Sequence, residues 1–182
     1  MKTKDMILIA LFAALTAAGA YIRIPVPVCP FTLRFLFTTL AGVMLGGRRG
    51  ALAVTVYVLL GLAGVPVFTG GGGIGYVLQP TFGYLLGFIG GAYLTGKIVH
   101  SGSLTMPRLL AGCFAGLFVV YGLGMAYYWA ICQFWLREPI EIWPLFLYCF
   151  VLAVPGDIAL CILSAVLGKR LIPVAELSPK TT

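Results

Sequence analysis

Pro155-Gly156-Asp157-Ile158-Ala159-Leu160 lies inside an apolar run that extends from about Leu145 to Leu167. Asp157 is the one acidic residue in that run, about a dozen positions from its start. At about 1.5 Å rise per residue, a helix carries it roughly 18 Å inward, near a bilayer midplane. A carboxylate there costs about 2.5–3.5 kcal/mol on insertion scales, so it requires a polar cavity and a partner or ligand. Pro155 lacks a backbone donor and frees a nearby carbonyl, and Gly156 admits another backbone. A structural Asp, hydrogen-bonded between two helices, is the other reading of the same residue.

The whole chain has the same character. Of its 182 residues 61% are apolar and 9% charged, against about a quarter charged in soluble domains. The apolar runs are long and continuous rather than alternating, which selects helices over a barrel. The fold class read from this is an all-α membrane protein. A net charge of +7 does not indicate nucleic acid, because the basic residues sit at the ends of apolar runs and form no patch. Cys29, Cys113, Cys132, Cys149 and Cys161 show no CxxC or Cys/His spacing, and His100 falls in a loop. They read as small hydrophobes, with no metal site and no disulfide.

The runs divide one domain, residues 1–182, into six transmembrane helices at about 6–22, 31–47, 51–64, 81–96, 109–135 and 145–168. The first follows Lys2 and Lys4 and has no cleavage site before a polar mature domain, so it reads as a retained span rather than a signal peptide. Ala10, Ala14 and Ala18, spaced by four, make a smooth ridge on which a helix of this or another chain can pack closely. Three prolines between Arg23 and Pro30 set an extended entry into the second run, where Arg34 either snorkels to the surface or points into a cavity. Gly42 and Gly46, and later Gly83, Gly87 and Gly91, recur at the spacing that lets helices approach.

Between the third and fourth runs lies Val65 to Pro80, uncharged and carrying four consecutive glycines from Gly70 to Gly73. It is too short and glycine-rich to span and too apolar for an ordinary solvent loop. An external capping or re-entrant loop fits it. With both termini in the cytoplasm, Lys2, Lys4, Arg48, Arg49, Lys97, Arg108, Lys169, Arg170 and Lys180 fall inside, leaving Arg23, Arg34 and Arg137 outside.

The outer half then collects Thr32, Arg34, Gln79, Gly83, Tyr84 and Asp157. One acid, one base, an amide, a hydroxyl and a phenol amid apolar surface suit a small molecule with an acidic end. No serine or cysteine sits beside a base and no HExxH occurs, so binding or transport outranks catalysis.

Five segments add a resemblance: Val28-Cys29-Pro30-Phe31-Thr32-Leu33-Arg34, Leu45-Gly46-Gly47-Arg48-Arg49-Gly50, Gly61-Leu62-Ala63-Gly64-Val65-Pro66-Val67-Phe68, Pro80-Thr81-Phe82-Gly83-Tyr84-Leu85-Leu86-Gly87-Phe88 and Pro155-Gly156-Asp157. In that order and spacing they resemble the BioY family, the biotin-specific substrate-binding (S) components of energy-coupling-factor (ECF) transporters. The resemblance implies a six-helix subunit of the cytoplasmic (plasma) membrane that captures biotin on its outer side. It implies no cofactor, and as partners a membrane-integral scaffold subunit and two cytoplasmic ATPases that hydrolyse the ATP. It also implies that the Ala10, Ala14 and Ala18 ridge docks on the scaffold. The family usually has Gln where this chain has Arg34, and Lys where it has Leu160. We therefore expect Arg34 to receive the biotin carboxylate, with Leu160 packing on its apolar stem. The residues alone leave two alternatives: a carrier for another small vitamin, or a structural membrane protein that binds no small molecule.

Overall fold

In a computed structural model, residues 3–24, 31–136 and 153–177 are described. Among them are six α-helices: α1 (Thr3–Tyr21), α2 (Arg34–Leu45), α3 (Gly47–Leu62), α4 (Phe82–Val99), α5 (Met106–Ile131) and α6 (Val154–Leu177). A two-residue antiparallel ladder, Arg23 opposite Thr32 and Ile24 opposite Phe31, brings the chain from α1 into α2. A 3₁₀ turn, Ile74–Leu78, lies in the segment before α4, and the end of α5 widens into one π turn, Cys132–Leu136.

Small residues decide how the helices meet. α4 and α5 pack most extensively of all pairs. A Cβ on Gly87 would come within 2.8 Å of the Val120 backbone, and one on Gly91 within 3.0 Å of the Gly116 carbonyl. The two backbones are therefore in contact, and Thr95 Oγ1 donates across the seam to Gly112 O at 3.0 Å. Gly42 fits against Ala92 of α4 in the same way. Gly46, at φ +81°, makes the sharp connection from α2 to α3, a conformation that disfavours any side chain.

Several contacts mark one end of the bundle. Asp5 near the start of α1 pairs with Arg49 in the first turn of α3 at 3.1 Å. His100 Nε2, just past α4, is 2.9 Å from Val43 O near the end of α2. Gly168 of α6 packs on Val43. Lys4, Arg48, Arg49, Lys97, Arg108, Lys169 and Arg170 thus share this end by helix direction, while Arg34 opens α2 at the other.

Helix bounds differ in places from those read off the apolar runs. Arg48 and Arg49 begin α3 rather than separating two runs, because the glycine turn at Gly46 is tight enough to dispense with a loop. α2 is 12 residues, about 18 Å, short of a roughly 30 Å hydrocarbon core. Among the described residues three helices, α1, α4 and α5 with its π turn, are long and apolar enough to cross a membrane. α6 continues past Lys169 and Arg170 to Leu177 with Pro173 inside it. The expected start of the last helix at Leu145 and the placement of Arg137 lie outside the described residues.

Candidate ligand-binding site

At the end of the bundle opposite Arg49 and His100, α2, α4, α5 and α6 enclose a half-open cavity with the Ala63–Thr81 segment beside it. About 630 Å³ in and around it, open solvent at the mouth included, is free of atoms. Thr32, Arg34, Tyr84 and Asp157 line it as the sequence leads one to expect.

Arg34 is 5% exposed, so it does not snorkel. It is the first residue of α2, and the Thr32 ladder fixes its approach. Its guanidinium carbon lies 5.6 Å from the Tyr57 ring and 5.9 Å from the Phe88 ring. Nη2 donates to Thr69 Oγ1 at 2.8 Å, while the buried Nε–H has no hydrogen-bond partner. Asp157 is 7% exposed and stands in the first turn of α6, at the same end of the bundle as the start of α2. Its Oδ2 accepts from Tyr121 OH of α5 at 2.5 Å. Arg34 and Asp157 line one cavity without pairing; among the described residues the ion pair is Asp5–Arg49. The cavity therefore carries a separate cation and carboxylate, joined by aromatic and apolar walls.

Three expected residues stand elsewhere. Gln79 is exposed, because the 3₁₀ turn sends Tyr76 inward and carries the chain outward just after it. Gly83 faces α5, where a Cβ would collide with Tyr127, so it serves packing. Leu160 is one turn deeper on α6, buried in the core and off the cavity wall, so the expected packing along Arg34 is not seen there. Conversely, Thr69, Tyr76, Thr81, Phe35, Phe88 and Tyr121 also line the cavity, and a hydroxyl or ring in an apolar chain does not by itself mark a site residue.

The capping segment is held to three helices. Tyr57 OH of α3 donates to Val67 O at 3.0 Å, Tyr127 OH of α5 to Val77 O at 2.6 Å, and Tyr21 OH of α1 to Pro66 O. Phe68 inserts against Gly61, which has no side chain to exclude the ring, and packs on Tyr76 with centroids 4.5 Å apart and planes tilted by 41°. Ala10, Ala14 and Ala18 are exposed along α1, while Ala13 is buried.

Helices with apolar outer faces, enclosing at one end a cavity with one cation and one carboxylate, define an all-α membrane protein that binds small molecules. The BioY family model matches residues 1–176, and the chain belongs to that family. A probable biotin transporter BioY of Lysinibacillus sphaericus is 44% identical over 171 residues, covering 93% of this chain and 87% of that one. The biotin transporter BioY of Rhizobium etli is 34% identical over 184 residues, covering 93% of each. A crystal structure of the S component for biotin from an ECF-type ABC transporter superposes with a TM-score of 0.76 at 26% identity, covering 94% of each chain.

Proposed function

We propose that this chain captures biotin and carries it across the cytoplasmic membrane as the S component of an ECF-type transporter. Membership of the BioY family supports the ligand, and one observation supports the site: Arg34 and Asp157 buried in the same cavity without pairing. Biotin has an acid at one end and a ureido ring at the other. A carboxylate accepts the ureido N–H groups, and a guanidinium grips the acid. Asp157 accordingly takes the ring, with Tyr121 holding its second oxygen, and Arg34 takes the carboxylate. Thr32 and Tyr84 complete the polar lining.

The absence of a Walker A sequence agrees with energy supplied by other subunits. In this reading a membrane-integral scaffold subunit docks on the exposed Ala10, Ala14 and Ala18 ridge, and two cytoplasmic ATPases hydrolyse ATP. The cation-rich end and both termini face the cytoplasm, the cavity opens outward, and the bundle spans as a unit, with α2 too short to cross by itself. The Val65 to Pro80 segment closes over the ligand.

Saturable binding of labelled biotin to the purified protein is the expected result. Displacement of the label by another vitamin at much lower concentration than unlabelled biotin requires would transfer the site to a different ligand. An absence of saturable binding would reduce Asp157 to an interhelical bond.

A further inference from the structure

The Arg34 guanidinium is restrained by two aromatic rings and bonded at one nitrogen. Tyr57 and Phe88 limit the tilt of its plane. Within that plane, Nη2 donates to Thr69 Oγ1 at 2.8 Å, and Thr69 belongs to the capping segment rather than to a helix. Nε of this 5%-exposed residue is left without a partner. In a guanidinium, Nε–H and one N–H of Nη2 lie along one edge, and that edge can grip a carboxylate side-on. Nη2 has two protons, and when Thr69 accepts the one directed away from Nε, the other stays on the Nε edge for an anion. A buried, unsatisfied Nε–H is costly until an acceptor arrives, so the arrangement favours a ligand oxyanion over a neutral group.

Resting on the reading that Arg34 receives the acid, we propose that Thr69 is a positioning residue for ligand charge. Its hydroxyl fixes the rotation of the guanidinium so that the Nε edge is presented to the cavity. Acid recognition therefore depends on the capping segment being seated, because that segment supplies the hydroxyl. A ligand lacking the acid gains nothing from this bond, and a purely structural Thr69 would affect acid and amide ligands alike.

The test is calorimetric binding of biotin and of uncharged biotinamide to purified wild type, Thr69→Val, Thr69→Ser and Arg34→Gln. Valine keeps the branched shape without the hydroxyl, and serine keeps the hydroxyl. Thr69→Val is expected to reduce the preference for the acid by about tenfold while biotinamide binds within about twofold of wild type. Thr69→Ser should retain the preference. An unchanged acid-to-amide ratio in Thr69→Val overturns the proposal, whether both affinities are intact or both fall together. If Arg34→Gln loses the preference and Thr69→Val keeps it, Arg34 still reads the acid and Thr69 does not position it. If Arg34→Gln keeps the preference, the reading beneath both fails.

Discussion

Burial gives Arg34 and Asp157 their meaning. An ionised group out of water without a partner costs several kcal/mol, and these two line one cavity without forming a pair. Asp157 already accepts one bond, from Tyr121, and a ligand that donates N–H groups supplies the rest. Asp157→Asn replaces an acceptor with a group that also donates. It should weaken biotin binding at least about tenfold while the protein still inserts, as titration with labelled biotin will measure. Arg34→Gln removes the charge and should weaken biotin about ten- to a hundredfold while changing biotinamide affinity little. Equal biotin affinity in that variant would mean another group holds the acid. Both residues were legible in the sequence because a charge inside an apolar run demands an explanation. Tyr121 and Thr69 were not, because a tyrosine in a helix or a threonine in a loop fits many environments. Leu160 lies off the cavity wall for a geometric reason: three residues after Asp157 on a helix is the same face but about 4.5 Å deeper.

Among the elements, the seam between α4 and α5 and the capping segment behave differently. The seam is backbone against backbone, so its glycines tolerate no added atom. Gly87→Val would press on the Val120 backbone and should destabilise the protein by about 1–3 kcal/mol, read as a lowered melting temperature in detergent. The capping segment is instead fastened by side chains from α1, α3 and α5. Tyr127→Phe deletes the bond to Val77 O with little change of shape, so hydrogen exchange in the 65–80 segment should quicken without biotin. Saturating biotin should slow exchange there in wild type if the segment closes over the ligand. Identical exchange with and without biotin would count against a lid. The helices were legible from the lengths of the apolar runs, and the α4 glycine face from its spacing of four. The 3₁₀ turn that exchanges Gln79 for Tyr76 was not, because a glycine-rich segment leaves its direction to tertiary packing.

Across the whole molecule, the proposed function puts ligand capture and energy coupling on different surfaces. No residue of α1 lines the cavity. α1 instead turns Ala10, Ala14 and Ala18 outward, flanked by the exposed Ile7 and Leu11. Small residues there admit another helix at close range, where dispersion and lipid release can hold it. A bulky group at the centre of that ridge would separate the helices without disturbing the ligand. Residue 14 is seven positions from Tyr21, where α1 touches the capping segment, or about 10.5 Å along the axis. We therefore expect Ala14→Trp to bind biotin with wild-type affinity when purified alone, yet to lose uptake in cells that supply the scaffold and ATPase subunits. Two measurements decide it: biotin titration of the isolated subunit, and co-purification with the scaffold. Wild-type co-purification of Ala14→Trp would move the docking surface to another face. Loss of biotin binding would instead tie α1 to the cavity through Tyr21 and the capping segment.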